Sequence, residues 1–188
     1  MSDSVHALSE PGAAPAADVD LDLLRVYLND HLAGAVAGPR RMRKTGHTLS
    51  RTPVAGLLEG VAEEVEGERE ELRALMRSLG LPQARAKQVA TWLGERVSRL
   101  KANGRWTQHS PMTPLLEVEL LRSAVMGKRG LWQTLTELGP ALGLETSRPA
   151  ALVAQTDRQL QTLDEVHRYV RRRALRNRGV SAPRAAAR

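Results

Sequence analysis

Carboxylates are concentrated in one short stretch of this chain. Six of the nine residues from Glu63 to Glu71 are glutamate, although the chain as a whole has a formal net charge of +7. Helical periodicity places one of them, Glu68, at the centre of an otherwise apolar stripe. A carboxylate that faces the core of a helical bundle is a metal ligand or a member of a buried polar pair, unless the helix phase is wrong.

Five amphipathic segments would have to position these side chains. Apolar residues at a spacing of 3.6 predict helices over about 20–44, 53–79, 83–103, 111–138 and 147–176. We expect Pro39 to kink or interrupt the first helix and Gly46 to end it. We expect Thr52 to cap the second helix, with Pro53 at its first position. The segment over 111–138 is apolar on two faces, which indicates a central helix or the interface of a homodimer.

The lengths of these segments predict the topology. Four are about 25–29 residues long and the third is about 20, so the short one can connect the second long helix to the third. Short loops make successive helices antiparallel, which gives the order up, down, up, down, up. Residues 19–178 would form this helical bundle. Residues 1–18 are expected to be a disordered arm, and residues 179–188 a flexible basic tail.

Three stretches of the chain resemble the ferritin-like superfamily, in particular small bacterial members. They are LLRVYLNDHLAGAVAG (23–38), EEVEGEREEL (63–72), and RLKANGR followed by SPMTPLLEVELLRSAVMGKRGLW (99–132). The resemblance implies an all-α, ferritin-like antiparallel four-helix bundle with a shorter fifth helix between the second and third long helices. It also implies a possible di-iron or di-manganese site, built from one Glu on each of two helices and a Glu-x-x-His on each of the other two.

The residues of this chain fit that metal site only in part. The candidate ligands are His31, Glu64, Glu68, Glu119 and His167. No Glu-x-x-His follows Glu64 or Glu68, and Asp164-x-x-His167 is the nearest imitation. Helix length places Glu68 level with His31, and Glu119 level with His167 nearly three turns away. The sequence therefore predicts two polar pairs, with a metal site as the alternative; in a buried pair of this kind, Glu68→Gln is expected to leave stability unchanged or raise it.

Basic residues are predicted to collect at one end of the bundle. The candidates for binding an anion there are Arg40, Arg41, Arg43, Lys44, Arg51, Arg105, Arg171, Arg172, Arg173 and Arg176. Such an end could bind nucleic acid or an acidic protein surface. Base-specific recognition is not expected, because the chain carries no recognition motif and few aromatic residues. The alternative is that the basic residues only keep the chain soluble.

Composition excludes several classes of function. The chain has no Cys among its 188 residues, which excludes disulfides, Cys-ligated zinc, iron–sulfur clusters and thiol catalysis. No phosphate-binding loop, dinucleotide fingerprint or nucleophile elbow is present. We therefore expect a cytoplasmic, non-catalytic protein that acts through binding and needs no cofactor. The alternative is an iron or manganese carboxylate protein with oxidase or metal-handling activity.

Overall fold

Four long helices make up the described part of the chain. The computed structural model describes residues 19–83 and 112–174, and these form α1 (Leu21–Thr48), α2 (Ala55–Ser78), α3 (Met112–Leu138) and α4 (Ser147–Ala174). A short 3-10 helix, Pro140–Leu142, lies between α3 and α4. These ranges contain no strand, so the all-α prediction is confirmed. The predicted helix over 83–103 falls outside them apart from its first residue, as do the arm, the tail, Arg105 and Arg176.

Ion pairs between helices show how the four helices run. Arg41, late in α1, contacts Glu117, early in α3, and Arg148, at the start of α4, contacts Glu71, late in α2. Each helix is therefore antiparallel to the helices that it packs against, in the ring order α1, α2, α4, α3. The predicted directions of the four long helices, up, down, down, up, are confirmed. In the two described ranges, no helix combines the length and apolarity that a membrane span requires.

The core consists of two apolar clusters along the bundle axis. One contains Leu58, Val118 and Leu163, and the other contains Leu28 and Leu135, all of them completely buried. The chain has no Phe, so aliphatic side chains supply most of the packing. Burying such a side chain stabilises the fold by about 1.5–3 kcal/mol. The residues between the two clusters are polar, and they are described below.

The first helix does not end or break where the sequence predicts. It continues through Pro39 and Gly46 to Thr48. Gly38 removes one obstacle to Pro39, because a proline ring clashes with the Cβ of a preceding residue in the helical conformation and glycine has none. Gly46 serves close packing instead of termination: a Cβ there would lie 3.3 Å from the carbonyl oxygen of Ala55 at the start of α2.

The start of α2 also differs from the prediction. The helix begins at Ala55, after an N-cap residue, Val54, whose side chain makes no capping hydrogen bond. The Thr52 hydroxyl donates to the carbonyl oxygen of Leu49 at 2.7 Å and so stabilises the turn, and Thr52 lies two residues before the N-cap position.

The end of α2 is closed by a glycine in the left-handed conformation. Gly80 has φ of 68°, and the next residue, Leu81, donates its N–H to the carbonyl oxygen of Met76 at 2.8 Å. We expect Gly80→Ala to lower the free energy of unfolding by about 1–2 kcal/mol, because a Cβ is disfavoured at this φ. The control is Gly60→Ala in the exposed, regular part of α2, which should raise it by about 0.5–1 kcal/mol. Chemical denaturation measures both, and equal effects would contradict the prediction.

Candidate functional site

A buried polar layer separates the two apolar clusters. Its centre is Glu68, whose side chain is 2% exposed. Lys128 Nζ donates to Glu68 Oε2 at 2.5 Å, and Trp132 Nε1 donates to the same oxygen at 3.2 Å. Gln155 and Gln159 donate to Oε1 at 3.1 and 2.7 Å. These four donors match the roughly four lone-pair sites of a carboxylate. The name polar layer is kept for these five residues.

Gln159 links the polar layer to the surface. Its Nε2 donates both to Glu68 Oε1 and to Glu64 Oε2, the second also at 2.7 Å, while its Oε1 accepts from Lys128. Only the amide nitrogen can serve two carboxylates, and only the amide oxygen can accept from an ammonium group. The orientation of this side chain is therefore fixed by its three neighbours.

The ammonium group of Lys128 is the cation of the polar layer. Its side chain is 12% exposed. Burial lowers the pKa of the Lys128 amine below its usual value, although the carboxylates of Glu68 and Glu64 act in the opposite direction. The desolvation of the amine thus outweighs its attraction to the two carboxylates. The surroundings of Lys128 therefore disfavour a net charge.

The polar partner of Glu68 differs from the predicted one. The sequence predicts His31, and His31 does line the same cavity as Glu68, as their shared level requires. The cation in contact with the carboxylate is Lys128, however, and the ring of His31 lies edge-to-face with Tyr27, 4.7 Å between centroids. Glu68 is therefore a member of a buried polar pair, as expected, but with another residue.

Lys128, Gln155 and Gln159 are the site residues that sequence reasoning missed. For Lys128 and Gln159, the sequence contains a signal, namely their spacing from apolar residues of the same helix. Lys128 follows Leu121 by seven residues and precedes Trp132 by four, and Gln159 stands in the same relation to Leu152 and Leu163. A spacing of seven and four keeps residues on one face of a helix. Both polar side chains therefore belong to the buried stripes of their helices.

The second predicted pair is present. His167 Nε2 lies 3.2 Å from Glu119 Oε1, between α4 and α3. Asp164, the other half of the imitated metal motif, instead accepts a hydrogen bond from Arg122 Nε at 2.6 Å. Glu119 pairs with His167, and Glu68 pairs with Lys128. The two carboxylates thus lie in separate polar pairs at different levels of the bundle. Over residues 19–83 and 112–174, no three His, Asp or Glu side chains converge in a way that could hold a metal ion.

Most of the acid run lies on the surface and is paired. Glu70 contacts Arg69, its neighbour in sequence, and Arg73, one turn further along the same helix. Glu66 and Glu71 reach instead to other helices and contact Arg43 and Arg148. Hydrogen bonds from Arg43 lower the pKa of Glu66 below its usual value. Arg77, on the same helix, contacts none of the described carboxylates.

One end of the bundle carries unbalanced positive charge. Residues 40–51 and 168–174, here called the basic end, hold nine Arg and Lys residues and no Asp or Glu. Two of the nine are neutralised from elsewhere: Arg41 by Glu117, and Arg43 by Glu59 and Glu66. Arg173 lies over the ring of Tyr169, 3.6 Å from its centroid. The residues of the basic end that form no ion pair with a described carboxylate are Arg40, Lys44, Arg51, Arg168, Arg171, Arg172 and Arg173.

A cavity lies next to the polar layer, on the side that faces α1. It has a volume of about 70 Å³ and lies between α1, α2 and α3. Glu68, Lys128 and Trp132 form part of its wall, and small residues of α1 and α3, among them Gly34, Ala35 and Ala124, form another part. The molecule thus offers two places for a partner, the basic end and this cavity.

Comparisons of the chain with protein-family models, with curated proteins and with solved structures find no match.

Proposed function

We propose that this protein is a non-catalytic, ferritin-like helical bundle that binds the phosphate backbone of nucleic acid through its basic end. The observation that carries the proposal is the distribution of unpaired charge. Outside the basic end, every described Arg and Lys except Arg77 and Arg158 forms an ion pair with a carboxylate of the chain. Within it, seven of nine do not.

Helix dipoles do not account for this charge. Basic residues commonly stabilise the C-terminal ends of helices, and α1 and α4 both end at the basic end. However, α2 and α3 begin at the same end, and their positive N-termini oppose the two negative C-termini. The four dipoles largely cancel, so seven unpaired cations exceed what the helix ends need. A polyanion from outside would supply the missing negative charge.

The chemistry of the basic end favours phosphate. Six of its seven unpaired cations are Arg, whose planar guanidinium group binds phosphate oxygens in pairs. The ring of Tyr169 is covered by Arg173, so it is not presented for stacking with a base. Contacts of this kind bind nucleic acid without reading its sequence. An acidic protein surface is the second partner that the same charge would suit.

The test is binding of the full chain to a labelled mixed-sequence DNA duplex, followed by fluorescence anisotropy at several salt concentrations. Each phosphate contact should contribute about −0.9 to the slope of log K against log [salt]. We expect a slope of roughly −4 to −6 if most of the seven cations take part, and equal affinity for a duplex of scrambled sequence. Affinity that does not change with salt, or binding to an acidic peptide but not to DNA, would contradict the proposal.

The alternative, a ferritin-like iron or manganese carboxylate protein, gains no support from the polar layer. Both oxygens of Glu68 already accept hydrogen bonds from two donors each. A metal at this position would have to displace the ammonium group of Lys128 and compete with its charge. Elemental analysis of the purified protein separates the two proposals, because full occupancy by iron or manganese would favour the alternative.

A further inference from the structure

The cavity between α1 and α3 is open because small residues line it where the two helices face each other. A Cβ placed on Gly34 would meet no atom within 4 Å, so close helix packing does not require glycine there. Glycine inside a helix is destabilising by about 0.5–1 kcal/mol relative to alanine. Gly34 lines the cavity and is exposed, so the cavity is open to solvent at this point of its wall. The Glu68 carboxylate does not need this space either, because its four hydrogen bonds are all made to residues of the polar layer.

Most of the cavity wall is aliphatic, formed by Met42, Val65, Leu72, Leu121, Val125 and Leu131. Lys128, a polar group of the wall, offers an unused hydrogen bond. The ammonium group of Lys128 has three N–H donors; one is directed to Glu68 and one to Gln159, and the described residues provide no third acceptor. A mainly apolar wall with a few polar groups is the usual composition of a small-molecule site.

Each cation in the cavity wall has a carboxylate partner. Lys128 is paired with Glu68, and Arg69 is paired with Glu70, which also contacts Arg73 outside the wall. An anionic ligand would therefore find no uncompensated cation, and a cationic ligand no uncompensated carboxylate. The lowered pKa of the Lys128 amine agrees with this, since it reports surroundings that disfavour charge. These observations favour an uncharged ligand.

The identity of the buried base supports a role in binding. Only four of the 28 basic residues of the chain are Lys, so Arg is the usual basic residue of this chain. The basic residue in the polar layer is nevertheless Lys. Its compact ammonium group can direct three hydrogen bonds at separate acceptors, whereas a guanidinium group is a rigid planar fork.

We propose that this cavity binds a small, uncharged, mainly aliphatic molecule whose carbonyl oxygen accepts the third hydrogen bond of Lys128. The site is distinct from the basic end and does not depend on nucleic-acid binding. At about 70 Å³ the cavity has several times the room that one water molecule needs. The class of ligand that fits is therefore a short ketone, aldehyde or amide.

The probe is 2-hexanone, added to the ¹⁵N-labelled full chain while the indole N–H signals are followed by NMR. The signal of Trp132, which is assigned by its loss in Trp132→Phe, should shift in a saturable way with a Kd on the order of 1 mM. Hexanoate and hexylammonium, which are matched in length but charged, should bind at least ten-fold more weakly. The proposal is overturned if 2-hexanone gives no saturable shift, or if either charged probe binds as tightly.

Two variants test whether the probe enters the cavity. Ala35→Leu and Ala124→Leu fill it from opposite walls, and each should abolish the shift. The control is Ala74→Leu, which makes the same change on the exposed face of α2 and should leave the Kd unchanged. Unaltered binding in both blocking variants, with folding verified from the NMR spectrum, would show that the probe binds elsewhere. DNA binding of the three variants should equal that of the unmodified protein, which keeps this test independent of the basic end.

Discussion

Lys128→Met should lower the free energy of unfolding by about 3–5 kcal/mol, the usual cost of removing one partner of a buried ion pair. Methionine keeps most of the volume of the lysine side chain, so the loss reports the charge and not a cavity. Glu68 would remain 2% exposed with no cation beside it. Urea denaturation followed by circular dichroism measures the change. A loss well below 1 kcal/mol would show that the polar layer does not require this cation.

The control for this prediction is the neighbouring residue. Arg129 forms an ion pair with Asp157 at 2.6 Å, but both side chains are partly exposed, 30% and 44%. Ion pairs of this kind contribute little to stability because water screens them. Arg129→Met should therefore leave the free energy of unfolding close to that of the unmodified protein. Equal losses at positions 128 and 129 would contradict the assignment of a special role to the polar layer.

A double-mutant cycle separates the ion pair from its surroundings. The contact between Glu68 and Lys128 changes the expectation for Glu68→Gln, which now should destabilise the protein, since it leaves a buried ammonium group with no counter-charge. The combination of Glu68→Gln with Lys128→Met removes both charges. It should cost about 1–3 kcal/mol less than the sum of the two single changes. Simple additivity would mean that the two residues do not interact.

The second large effect concerns the basic end. Arg171→Gln combined with Arg172→Gln should weaken binding to duplex DNA roughly 10- to 100-fold near 0.1 M salt, and should reduce the salt slope by about two. Both side chains are exposed and form no ion pair with a described carboxylate. Their loss should leave the fold intact. Fluorescence anisotropy over a range of salt concentrations gives both quantities.

The matched control is the pair Arg77→Gln and Arg158→Gln. These two residues are also exposed and also lack a carboxylate partner in the described ranges, but they lie outside the basic end. The control therefore changes the net charge by the same amount at other positions. We expect it to reduce affinity less than three-fold. If both double variants weaken binding equally, the protein attracts DNA through its overall charge and the basic end is not a site.

Helix positions were predictable from the sequence because they depend on local patterns. The fourth long helix begins at Ser147, the start of the range predicted from the sequence. The third ends at Leu138, as predicted, just before Gly139 and Pro140. Errors occurred where two signals competed. Pro39 disfavours helix, but Gly38 before it removes one steric obstacle, and Gly46 allows close packing with α2.

The site was harder to predict because its contacts join side chains on different helices, and no local sequence pattern specifies such contacts. Helical phase and depth along the bundle correctly predicted the contact between Glu119 and His167. At the level of Glu68, His31 is the residue of a metal-binding type, whereas the cation that contacts Glu68 is Lys128. Lys128 and Gln159 lie in the apolar stripes of their helices, and their periodicity would have found them. Which of the inward-facing polar groups would meet depends on the rotation of each helix, and the sequence of a single chain does not specify this.

The polar layer also has a consequence for how the helices find their alignment. The two apolar clusters contain mostly Leu and Val, whose shapes are similar enough that a helix could slide by one turn, about 5.4 Å, and still bury a leucine against a leucine. Such a slip would place the four donors of Glu68 one turn away from it and leave a charge opposite hydrocarbon. The buried glutamate thus favours one register of the four helices over registers one turn away that would still fill the apolar clusters, and it acts together with the ion pairs between helices.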